Sequence, residues 1–144
     1  MKAKKVWLVI DSTFDVGGEE ETSLTLYTEG DMTKDDDHYT YSYDESHMYE
    51  SPVTIKSMLE VGENFVRRTL SGDLNYVMHF EEGKVESVLY QSAEASFMTQ
   101  IETIEFNNQL MEGLGEVDFL YRISFTMGQS MINRISVRIT GDKA

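Results

Sequence analysis

The chain has 144 residues, of which 40% are hydrophobic, enough for one domain with a core. Its net charge of −14, from 12 basic and 26 acidic residues, repels phosphate backbones and anionic membrane surfaces, so neither nucleic acid nor membrane is an expected partner. The absence of cysteine excludes disulfides, thiolate metal sites and cysteine nucleophiles, and fits a cytoplasmic location.

Lys2, Lys4 and Lys5 precede the apolar run Val6–Ile10. That run is shorter than the roughly 7–15 apolar residues of a secretion signal, so it reads as a strand. No stretch approaches the roughly 20 apolar residues of a membrane helix. In the strand over Lys5–Phe14, Val6, Leu8 and Ile10 share one face and Trp7 and Val9 the other. A strand apolar on both faces is expected to lie between layers, or to have its outer face covered by a helix or a terminus. Gly17-Gly18 and the glutamates after it form a charged turn.

A second strand covers Thr22–Met32, and Gly30 inside it predicts a bulge or a sharp bend. After the turn at Lys34–Asp37, His38–Asp44 alternates, with Tyr39, Tyr41 and Tyr43 on one face. Glu45–Pro52 is a polar connection. Val53–Val61 and Asn64–Leu70 form a hairpin across Gly62-Glu63. Arg67 and Arg68 are consecutive: Phe65 would put Arg67 inside, the more apolar phase of Val66 and Leu70 favours Arg68, and a twist at a barrel rim would let both reach water. A buried arginine needs an internal partner or an anionic ligand.

Strands follow over Asn75–Glu81 and Lys84–Tyr90. Phe97–Phe106 changes phase, which one extra residue near Glu102-Thr103 would reconcile. Asn107-Asn108 is a turn and Leu110–Leu114 a connector. The longest period-two stretch is Val117–Met127, with Val117, Phe119, Tyr121, Ile123, Phe125 and Met127 on one face. In the last strand, Met131–Thr140, Ile135, Val137 and Ile139 point inward. Sequential strands with short turns make a meander, which leaves long bare edges unless it closes. The expected fold is therefore an all-β, antiparallel up-and-down barrel of about 8 to 10 strands spanning residues 1–144 as one domain. A sandwich is the alternative, and a bare edge strand would offer a route to a homodimer.

Several motifs resemble a known family. Thr28-Glu29-Gly30-Asp31-Met32-Thr33 leads into Tyr39, Tyr41 and Tyr43. Met78-x-Phe80-Glu81-Glu82-Gly83-Lys84 forms a hairpin. Tyr121-x-Ile123 is followed by Asn133-x-Ile135-x-Val137-x-Ile139. In order and spacing these resemble the YwiB-like family of uncharacterised bacterial proteins, from about Lys5 to Thr140. Two departures stand out: Ser92–Ser96 lacks the family's middle turn, and Trp7 is not preceded by the Gly-x of a lipocalin signature. The resemblance implies a calycin-like, lipocalin-like architecture and no assigned activity.

The residues point away from catalysis. There is no G-x-S-x-G elbow and no glycine-rich phosphate loop opening a helix. His38, His47 and His79 are far apart, and Asp35-Asp36-Asp37-His38 lacks the glycine hinge and final glutamate of a calcium loop. Glu102 and Glu105, beside the phase change, are expected outside the barrel. No catalytic residue, metal or cofactor is expected. The leading expectation is a non-catalytic protein that binds a small amphipathic or anionic ligand in the barrel, with Tyr41, Arg68 and Tyr121 as ligand-binding residues. The alternative is an acidic module with a filled core that docks a basic protein partner; a hydrolase ranks last. A cavity of a few hundred Å³, open at one end, would favour the first.

Overall fold

A computed structural model describes residues 3–46, 53–125 and 128–141. Ten antiparallel strands run in chain order: β1 Lys4–Phe14, β2 Thr22–Lys34, β3 His38–Asp44, β4 Ile55–Gly62, β5 Val66–Gly72, β6 Leu74–Phe80, β7 Val85–Ser92, β8 Ser96–Met111, β9 Leu114–Phe125 and β10 Ser130–Thr140. Each pairs with its sequence neighbours, and β1 meets β10 from Trp7↔Thr140 to Thr13↔Arg134, closing an up-and-down barrel. Closure supplies β1 and β10 with partners on both sides and removes the bare edges that the meander would otherwise carry. No α-helix occurs among the described residues.

The alternation read from the sequence forms the inner wall. Val117, Phe119, Tyr121 and Ile123 of β9 are buried, as are Ile135, Val137 and Ile139 of β10 and Val6, Leu8 and Ile10 of β1. Phe125 is partly buried at the end of β9, and Met127 lies outside the described residues. One half of the barrel is solid. There Phe80 packs on Phe119 and Tyr121, with ring centroids 4.3 and 4.7 Å apart. Tyr41 is fully buried in that half and donates its hydroxyl to the Gly113 carbonyl at 2.6 Å.

Gly113 has φ +81°, and a Cβ there would lie 2.6 Å from Met32 Sδ and 2.8 Å from Tyr39. The tight β8–β9 turn therefore requires glycine on both conformational and steric grounds.

Four local expectations are corrected. First, among the described residues no helix covers the outer face of β1, where Trp7 and Val9 are partly buried and flanked by Thr140, Glu29, Arg138 and Tyr27 on the neighbouring strands; the chain termini, the other expected cover, lie outside the described residues. Second, of the bulge or bend expected at Gly30 the bulge is excluded, because the β1–β2 ladder runs unbroken through Val6↔Gly30. Gly30 marks a close approach, since a Cβ would sit 2.8 Å from Leu8 Cδ1 and 2.9 Å from the Ser42 carbonyl. Third, Asn107-Asn108 is not a turn. Strand β8 continues to Met111, with Asn108 donating to the Gly62 carbonyl at 2.9 Å. Fourth, Leu110–Leu114 is no separate connector, because Leu110 and Met111 pair with Gly115 and Leu114 across the hairpin. The expected bulge in β8 is present: register shifts between Thr103 and Glu105, which leaves Ile104 as the extra residue.

Candidate functional site

The other half of the barrel contains a cavity of about 400 Å³. Its deep side includes Arg68, Glu45, Tyr121 and Met78. Its mouth lies where β1, β7 and β9 end and β2, β8 and β10 begin, between Phe14, Leu24, Tyr90, Phe97, Phe125 and Met131. These mouth residues are partly or substantially exposed, Leu24 at 42%. Aromatic contacts run along one side: Tyr76 meets Tyr90 edge-on at 5.2 Å, Tyr90 stacks on Phe97 at 4.6 Å, and Phe97 lies 6.0 Å from Phe125.

Arg68 is held inward by the phase of β5, whose Val66 and Leu70 are buried. The side chain of Arg67 is 46% exposed, whereas that of Arg68 is 15% exposed. Arg68 Nη2 donates to Glu45 Oε1 at 2.6 Å. The Tyr43 hydroxyl donates to the same oxygen at 2.8 Å. Burial opposes the Arg68 charge, but the Glu45 carboxylate, Tyr43 and Tyr121 together outweigh it and lift the guanidinium pKa above its ordinary value. Burial, reinforced by the same carboxylate, raises the Tyr43 hydroxyl.

Glu45 reaches this position because the strand's alternation continues one step past β3. Tyr41, Tyr43 and Glu45 have the same parity and all are buried. Glu45 N donates to the Ile55 carbonyl at 2.9 Å, and Asp44 Oδ1 accepts from Ser46 N at 2.8 Å, which turns the chain there. Ser46 Oγ accepts from Ile55 N at 2.9 Å. Glu45 Oε2 is buried and finds no hydrogen-bond partner among the described residues.

Tyr76, Thr99, Tyr121 and Asn133, also at the cavity, are paired within the wall. The Tyr76 hydroxyl lies 2.6 Å from Thr99 Oγ1, which donates to the Val88 carbonyl at 3.0 Å. The Tyr121 hydroxyl is hydrogen-bonded to the Asn133 side chain, and Asn133 Oδ1 accepts from Asp15 N at 3.0 Å. Burial raises the pKa of both Tyr121 and Tyr76, with Arg68 opposing it at Tyr121 and Thr99 at Tyr76.

Of the three residues expected to bind ligand, the structure brings Arg68 and Tyr121 together at the cavity. Tyr41 belongs to the solid half and does not line it. Sequence reading missed Glu45, Ser12, Thr99 and Asn133. Ser12, Thr99 and Asn133 have the inward parity of their strands, and parity carried through polar residues would have found them, whereas Glu45 lies one step past the end of β3.

The carboxylates beside the bulge face outward. Glu102 pairs with Arg122 at 2.6 Å and Glu105 with Arg134 at 2.9 Å. His79 stacks on Phe65 at 5.4 Å on the outer surface, and His38 contacts Asp35 and Asp37 at 3.2 and 2.9 Å. His47 lies outside the described residues, among which no cluster of three metal-ligating side chains occurs.

A domain of unknown function, DUF1934, matches residues 9–139. The chain belongs to this family. Among solved structures, the DUF1934 chain is similar to the crystal structure of the ywiB protein from Bacillus subtilis. The TM-score is 0.79 at 16% identity, covering 98% of this chain and 94% of that one. At that identity the likeness concerns the fold, which agrees with the barrel described above. No curated protein matches the chain.

Proposed function

We propose that this DUF1934 protein is a non-catalytic binding protein that holds a small amphipathic molecule in the half-open barrel. The observation that supports this reading is the cavity itself. Ligand sites of about 300–1,000 Å³ combine mainly apolar walls with a few fixed polar groups. Here a volume of about 400 Å³ has aliphatic and aromatic walls and one ion pair, Arg68–Glu45, at depth. An apolar tail would lie along Leu70, Tyr76, Ile123 and Phe125, and a polar head would meet the ion pair.

The alternative, docking of a basic protein partner, has less support. Several acidic groups are already engaged by the protein's own cations: Glu29 and Asp31 with Lys5, Asp44 with Lys56, and Asp118 with Arg134.

A fluorescence titration with N-phenylnaphthylamine, an uncharged apolar probe, tests the reading. The wild-type protein should give saturable enhancement with one site per chain. Ile123→Trp, which fills the cavity, should abolish it, and Val77→Trp on the outer face should not. Absence of saturable enhancement in the wild type, or equal enhancement in Ile123→Trp, overturns the proposal.

A further inference from the structure

We infer that the cavity selects amphipathic molecules whose head group donates hydrogen bonds and carries no negative charge, such as alcohols and amines, over carboxylates of the same length. This inference rests on the binding reading above and specifies its ligand class. A lone inward arginine would suggest an anion site. In this barrel the anion beside Arg68 is the protein's own Glu45, 2.6 Å away. The pair is neutral as a unit, so a second carboxylate entering the site would confront Glu45 without a free cation to offset it. Among the described residues lining the cavity, Arg68 is the only basic side chain and Glu45 the only acidic one.

Hydrogen-bond capacity points the same way. Arg68 Nη2 and the Tyr43 hydroxyl both donate to Glu45 Oε1. Glu45 Oε2 is left without a partner, although the residue is fully buried and lines the cavity. A buried carboxylate oxygen gains most from an incoming donor, whereas another acceptor leaves it unsatisfied. Arginine and tyrosine hold the carboxylate in place, and because Oε2 is shut off from solvent, an O–H or N–H reaches it through a local shift of the surrounding side chains. The overall charge of −14 adds a long-range bias against anions in the same direction.

Displacement of N-phenylnaphthylamine by decanol, decylamine and decanoate at neutral pH tests this. Decanol and decylamine should each compete about tenfold or more better than decanoate. Glu45→Gln removes the negative charge, frees Arg68 and supplies an amide donor, so decanoate should gain and decylamine should lose. If the probe binds but decanoate competes as well as decanol in the wild type, the ligand class is wrong and the cavity reading stands. If the probe itself does not bind, both fall. The wild-type order decides the matter even if Glu45→Gln does not fold.

Discussion

Arg68 and Glu45 are 23 residues apart in the chain and form a largely buried ion pair. Removing one member of such a pair leaves the other uncompensated, which costs about 3–5 kcal/mol, whereas replacing both by neutral groups is far less harmful. Arg68→Met should therefore destabilise the barrel by roughly 3 kcal/mol in a urea titration. The double substitution Arg68→Met with Glu45→Gln should recover at least about 1 kcal/mol relative to the sum of the two single losses. Strict additivity would show that the pair carries no mutual energy. Arg68 itself was legible from the parity of β5. Glu45 was not, because a charged residue at a strand end reads as the start of a loop, and only the contact with Arg68 identifies it as interior.

Strands β6 and β7 form the least regular seam of the wall. They are paired only at Leu74↔Ser92 and Asn75↔Gln91. Toward the hairpin tip the chain bonds instead to β8: Gly83 N donates to the Thr103 carbonyl at 3.0 Å and Thr103 N to the Lys84 carbonyl at 3.1 Å. The bulge at Ile104 in β8 lies beside these bonds. Val77, Val85, Leu89 and Met98 stay exposed on the outer side of these strands. Backbone groups with few buried neighbours open by local fluctuation rather than by global unfolding. Seam-facing amides of Tyr76–Phe80 and Val85–Tyr90 should therefore exchange with deuterium faster than those of Phe119 and Tyr121 in β9. Equal protection in the two groups would mean that the seam is as tight as the rest of the wall. The phase change in Phe97–Phe106 announced a bulge here. The partial parting of β6 and β7 had no sequence signal, because each strand alternates normally by itself.

Nine of the ten strand pairings join sequence neighbours, and the tenth, β1 with β10, spans nearly the whole chain. Bringing distant segments together carries a loop-closure entropy cost that short hairpins avoid. The closing seam is therefore expected to form after the transition state, while the β8–β9 hairpin, joined through Gly113, contributes to it. Ile10→Val and Val137→Ala, which weaken facing positions of the closing seam, should mainly speed unfolding, with φ values near zero. Ile101→Val in β8 should slow folding, and the reverse pattern would place closure first. The low proportion of basic residues and the meander of short turns were enough to expect a self-contained acidic β protein. That the meander closes, rather than stacking into a sandwich, followed from the need to cover its edges.

The sequence by itself determined the strands, their inner faces and the closed meander, because side-chain alternation is local and each strand carries its own record of it. It also favoured Arg68 over Arg67 as the inward arginine, by the phase of Val66 and Leu70, and the structure decided between them. Only the tertiary structure decided what Arg68 meets and how much of the interior is filled. Those outcomes depend on the volumes of side chains from all ten strands and on the register between them. The same two unknowns separate Tyr41, sealed against Gly113 in the solid half, from Tyr121, which borders the cavity: their alternation patterns are alike, and their positions along the barrel axis are not.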